Sequence, residues 1–194
     1  ELPADCLQRL SARVAQHPGA AILGRLADAA PTNLWSAASQ AQLDAVASYY
    51  NRETEQASFG VGGNLALPAA AFGELGGFAS LRYGEDRELL DRWRRSGRPA
   101  VYAAEIVATH HHPTSLGVFW RRNVSYGRGA YSFAQQRHAA GVGAPPIDWA
   151  FYEHLALFPF RTRLPRAGRV AITVGLARVA YTCGYVTARW TPRD

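Results

Sequence analysis

Short apolar runs of strand length, set between longer segments of helical period, constrain this chain more than any other feature. Pro3 to His17 carries Leu7, Leu10 and Val14 at helical spacing, and His17-Pro18-Gly19 ends it. The run Ala20 to Leu23 is short and apolar and predicts a strand. Asn33 to Gln56 is helical again, with Leu34, Ala38, Ala41, Ala45 and Tyr49 along one side. In FGVGGNLALP, Phe59 to Pro68, three glycines precede a short apolar run. Pro68 followed by AAAFGELG predicts a short helix with proline in its first turn. Glu85 to Ser96 predicts a helix closed by Ser96-Gly97 and supported by the i,i+4 pairs Glu88–Arg92 and Asp91–Arg95. Arg98 to Ala103 and Ile106 to His110 predict two strands, the second running into HHHPTS.

Ser115 to His138 predicts a long helix with Leu116, Phe119, Asn123, Tyr126 or Gly127, and Ala130 marking one face. Gly127 and Gly129 weaken it, each by about 1 kcal/mol against alanine. Gly141 to Pro146 predicts a loop, and Asp148 caps a helix reaching toward Pro159. The apolar tail Val170 to Ala188 has Arg178 as its one charge, with Arg161, Arg163, Arg166 and Arg169 before it and Arg189 after it. Three arrangements suit this tail: a helix lying in a membrane interface, a core helix, or a membrane span. The last needs about 20 mostly apolar residues and meets an expensive central arginine.

The 194 residues suffice for one domain with a sizeable core, or a domain with an appendage. All 21 basic residues are arginine, and the net charge of +6 suits a negatively charged partner. Dispersed arginines, not gathered with exposed aromatics, speak against nucleic acid. Cys6 and Cys183 fit no metal or redox spacing and predict two free thiols in a reducing compartment. The chain opens on Glu1, contains no methionine and shows no signal-peptide pattern, so a piece of a longer protein is expected.

The stretch YGEDRELLDRW places Glu85-Asp86 after a glycine at a helix start. Acidic residues there are favoured by the helix dipole alone, by about 0.3–1 kcal/mol. The order GGNLAL, LGGF, YGEDRELLDRWRRSG, a strand pair ending in histidine, and SYGRGAY resembles the C-terminal half of a family 2 glycosyltransferase of the GT-A fold. The resemblance runs from about Pro3 to about Gln136 and is most specific from Phe59 to Tyr131.

It implies an α/β, Rossmann-like partial GT-A domain over residues 1–140, with a helical tail over 141–194. By this resemblance Asp86 is the base that deprotonates an acceptor hydroxyl, supported by Glu85. His110, with His112 as substitute, ligates a divalent metal, manganese or magnesium, on the leaving diphosphate. Three adjacent histidines cannot easily converge on one metal by themselves. Gly62, Gly63 and Asn64 line the sugar and acceptor side of the cleft. Arg121 and Arg128, seven residues apart on one helix, could reach the diphosphate, or could form a solvated or membrane-facing surface. Trp93 and Trp120 are expected in the core.

The family's nucleotide-binding half, with its aspartate-rich metal motif, is not in this sequence. The activity implied is inverting transfer of a sugar from a nucleotide-sugar donor to an acceptor hydroxyl. The acceptor is expected to be a cell-envelope or lipid-linked glycan, and the location cytoplasmic, peripheral on the inner face of the plasma membrane. Two rivals stand beside it: a non-catalytic arginine-rich module on an anionic membrane or another polyanion, and a degenerate scaffold that keeps the fold without chemistry.

Overall fold

The computed structural model describes residues 1–29, 33–53, 56–112, 115–144 and 146–190. Pro113 and Thr114 of the HHHPTS run, and part of the Gly141–Pro146 loop, lie outside the described residues. The protein is mixed α/β, with helix predominating over a three-stranded mixed sheet. The chain divides into two compact units, 1–29 with 46–80 and 85–111, and 30–45 with 81–84 and 112–194.

The first unit is built on the sheet. Strand β1 (Ala21–Asp28) is central, β2 (Leu65–Ala66) pairs with it antiparallel, and β3 (Ala100–His110) pairs with it parallel. Alternation along a strand sends successive side chains to opposite faces. Accordingly Ala20 and Ile22 join Cys6, Val101, Ala103 and Ile106 in one core, closed by Leu10 of α1 (Cys6–Gln16). Ala21 and Leu23 join Ala57, Ala100, Leu90 and Trp93 in the other. Leu90 and Trp93 come from α4 (Glu85–Arg95). Trp93 is fully buried and its indole N–H donates to Pro99 O at 2.8 Å. Burying a side chain of that class contributes about 1.5–3 kcal/mol.

The two expected strands at 98–103 and 106–110 are one strand. Its register against β1 jumps from Gly24↔Ala103 to Arg25↔Val107, so Ala104-Glu105, left between the two expected strands, lies in a bulge. Strand β1 continues five residues past Leu23, because Gly24 to Asp28 holds its pairing to β3 despite losing apolar character.

Helix α2 (Leu34–Tyr50) stops short of the expected Gln56. Buried Asn51 ends it: its amide donates to Phe59 O at 2.8 Å, and its carbonyl accepts from Ser58 and Phe59 N–H at 3.0 Å each. Pro68 sits at the N-cap of α3 (Ala69–Glu74), one position before the expected first turn.

The second unit is helical. Helix α5 (Leu116–Ala139) has Ser115 as its cap, and α6 (Trp149–Arg161) has Asp148, whose carboxylate accepts from Phe151 N–H at 3.1 Å. Helix α7 (Ala167–Thr187) packs on α5 and α6. At the α5–α7 crossing, a Cβ on Gly127 would overlap the Tyr181 backbone, and one on Gly184 would overlap the Val124 backbone. Buried Phe119 meets Trp35 of α2 with ring centroids 5.5 Å apart. Trp120 is half-buried. Both cysteines are free, Cys6 buried and Cys183 exposed.

Candidate functional site

Gly84 has φ of 81°, a conformation that side chains resist, and α4 begins at the next residue. The first turn therefore carries Glu85, Asp86 and Glu88 where the helix dipole favours them. Asp86 Oδ1 accepts from Arg87 N–H at 2.7 Å, and Oδ2 accepts from Gly62 N–H at 3.0 Å. The carboxylate thus joins the start of α4 to the 3-10 turn Gly62–Asn64. Glu85 and Asp86 are half-buried. An ionised carboxylate has about four acceptor positions, so Asp86 keeps capacity for a further hydroxyl. A Cβ on Gly62 would lie 3.6 Å from Asp86 Cβ, and one on Gly63 3.9 Å from Leu26. Both are ordinary contacts, so crowding by the protein does not require either glycine.

Asn64 has a structural task at the bulge. Its amide Nδ2 donates to Arg25 O and Ile106 O, both at 2.8 Å, one on each strand at the register jump. Its side chain occupies the space that a Cβ on Gly24 would need. The turn bearing Gly62 and Gly63 is therefore pinned to the sheet through the third residue of the same motif.

Glu88 is buried and bonds Arg92 through two contacts of 2.6 Å. Arg92 in turn donates to Gly77 O at 2.7 Å and to Leu75 O. What read as a modest helix-surface pair is a clamp that fixes the LGGF turn against α4. The sequence signal was present, as an i,i+4 pair, but its third partner is remote in sequence.

His110 is exposed at the end of β3, with Asp28 as its register partner at the end of β1. Neighbouring strands lie about 4.8 Å apart, so an imidazole and a carboxylate stand side by side at the carboxyl end of a parallel strand pair. Open α/β sheets bind ligands at such ends. Asp28 escaped the sequence reading because β1 was taken to stop at Leu23. Among the described residues no group of three or more His, Cys, Asp or Glu gathers as a metal cage. The pair can supply part of a donor set, with other oxygens completing it. The histidine run divides: His112 bonds Gln40 Oε1 at 2.9 Å in the helical unit.

Arg121 and Arg128 are exposed on α5 in that second unit. Tyr83 hydrogen-bonds Ser125, which, with the Arg82 and Arg128 charges, holds its hydroxyl below the ordinary tyrosine pKa. The Tyr83 backbone lies against Gly129, where a Cβ would sit 2.7 Å from Tyr83 O. Within the helical unit, Tyr83 and Gly129 therefore meet, backbone on backbone.

Comparison with protein-family models, with curated proteins and with solved structures finds no match to this chain. What the site can do is carried by its chemistry alone. A partly accessible carboxylate at a helix start can accept a proton, and an exposed imidazole beside a carboxylate can help bind a divalent cation. The structure brings Asp86, Glu85, Gly62, Gly63, Asn64 and His110 into one unit, and Arg121 and Arg128 into the other.

Proposed function

We propose that this chain carries the acceptor side of a GT-A-like, family 2 glycosyltransferase, which moves a sugar from a nucleotide sugar to an acceptor hydroxyl with inversion. The observation that carries the reading is the Asp86 carboxylate, held by Gly62 N–H at 3.0 Å with acceptor capacity left over. The motif order around it, from GGNLAL to SYGRGAY, resembles that of the family.

In this reaction the acceptor oxygen bonds to the anomeric carbon as the bond from that carbon to the diphosphate oxygen breaks. Asp86 receives the hydroxyl proton, and the nucleoside diphosphate leaves with the bonding pair. Base assistance of this kind contributes about 10²–10⁴-fold in rate. Glu85, adjacent in the first turn, orients the acceptor.

The pairing of His110 with Asp28 fits a borderline-to-hard divalent cation such as manganese or magnesium as part of its ligand set. Such a metal supplies charge neutralisation on the departing diphosphate. Gly62 and Gly63 leave room for close approach of a sugar to the backbone.

The test is release of nucleoside diphosphate from a panel of nucleotide sugars, on the chain together with any upstream sequence its gene encodes. Asp86→Asn is expected to lower turnover by about 10²–10⁴-fold while leaving the circular dichroism spectrum unchanged. Turnover that survives Asp86→Asn intact removes Asp86 as the base. Absence of turnover with every donor removes the transferase reading.

A further inference from the structure

Helix α7 has two different faces. Val170, Thr173, Val174, Ala177, Ala180 and Gly184 are buried against the rest of the helical unit. The opposite stripe, Ile172, Gly175, Val179, Cys183 and Val186, advances by three or four residues at each step and is exposed. Ile172 is 76% exposed and Val179 54%, and Trp190, just past the helix, is 85% exposed. No charge interrupts this stripe. Among the described residues, α7 is the one helix long and apolar enough to cross a membrane.

Arg178 does not face outward with them. Its Nη2 donates to Gln42 Oε1 at 2.5 Å, and its guanidinium lies 4.9 Å from the Tyr181 ring. The central charge that weighs against membrane contact is turned aside by α2. A buried inner face and this lateral arginine fit a helix lying along a surface better than one crossing a bilayer.

The ends of the helix carry the complementary charge. Arg161, Arg163, Arg166 and Arg169 are exposed before or at the start of α7, and Arg189 follows it. From His154 to Arg193 the sequence contains no acidic residue. The exposed Glu153 on α6 is paired with Arg161 at 3.4 Å. Arg163 and Arg166 take φ of 53° and 56°, a left-handed conformation in which glycine would be unstrained. The turn keeps two cationic side chains at a steric cost.

We propose that the outer stripe of α7 lies in the interface of an anionic lipid bilayer, with Ile172, Val179, Val186 and Trp190 among the acyl chains and the flanking arginines on lipid phosphates. An apolar helix face bordered by cations has this geometry, and each cation near an anionic surface strengthens binding by about fivefold. Vesicle binding of this kind is independent of any transfer chemistry.

The experiment labels Cys183, the exposed thiol, with an environment-sensitive fluorophore and adds vesicles of phosphatidylcholine with or without phosphatidylglycerol. The expected result is a blue shift and co-sedimentation with the anionic vesicles only, weakened by salt. Ile172→Glu with Val179→Glu, both at exposed positions, abolishes binding with circular dichroism unchanged. Arg163→Ala and Arg169→Ala each lower partitioning by about fivefold. No partitioning overturns the proposal, as does partitioning that ignores the two glutamates. Self-association lost in the glutamate variant, without vesicle binding, assigns the stripe to a second copy instead. Retention on vesicles after an alkaline wash assigns α7 to a span instead.

Discussion

At Gly24 a side chain is missing because Asn64 already fills its place. The two residues are separated by a whole helix in sequence, and their coupling is measurable. Gly24→Ala is expected to destabilise the protein by about 1–3 kcal/mol by overpacking. In an Asn64→Gly background the same alanine should cost much less, so that in a urea-denaturation double-mutant cycle the double variant is less destabilised than the sum of the two singles.

Asn64→Gly itself removes the donor to the Arg25 and Ile106 carbonyls, at about 1–3 kcal/mol for each group left unsatisfied. Equal costs for Gly24→Ala in both backgrounds would show that Asn64 does not fill that space. The resemblance puts Asn64 on the sugar and acceptor side, with a turn-stabilising asparagine as the alternative, and neither reading could reveal the bulge that occupies its amide, because the bulge exists only once β1 and β3 pair.

A second residue-scale effect is electrostatic. The Arg13 hydrogen bond, at 2.5 Å, holds the Glu105 carboxyl below its ordinary pKa. A folded-state value below the unfolded one means that folding favours the ionised form. The stability so gained is present above the ordinary glutamate range and is lost as pH falls through that range toward the folded value. Solvent reaches both side chains, so the pair contributes on the scale of about 0.2–1 kcal/mol. Glu105→Gln should lower the melting temperature slightly at neutral pH and not at strongly acidic pH. An equal loss at both would contradict the pairing.

At the scale of elements, the helices were largely legible because each has local punctuation. His17-Pro18-Gly19 stops α1, Asp148 caps α6, and Ser115 caps α5. Glycines 127 and 129 were legible only as weak points in α5. Their reason is non-local: α7 crosses at Gly127, and the Tyr83 backbone lies on Gly129. The penalty to helix propensity, about 1 kcal/mol each, is outweighed by the approach it permits.

Gly127→Ala and Gly184→Ala should therefore destabilise by about 1–3 kcal/mol or more, although alanine is the better helix former. Thermal or urea denaturation of the single variants checks this. Stabilisation by either alanine would show that the crossing is looser than the structure has it. The strand boundaries were less legible for the same physical reason. The second half of β1 alternates poorly in polarity, and its pairing with β3 decides its conformation.

For the whole molecule, the mixed α/β class follows from the alternation of short apolar runs and helical segments. The division into a sheet unit and a helical unit does not, since α2 passes from one to the other at Ala45-Val46 without a linker in composition. The sheet unit holds the candidate acceptor site. Its acidic pair was visible as a motif, whereas Asp28 beside His110 became visible only through strand register.

The central claim is that the carboxyl ends of β1 and β3 and the Asp86 turn form part of a nucleotide-sugar site. Calorimetric titration with uridine diphosphate, with and without manganese, on the unaltered chain and on His110→Ala, tests it most directly. The account predicts binding that requires manganese and is lost in His110→Ala while the fold persists. No binding by the folded chain in either condition, or binding indifferent to metal and to His110, would contradict it.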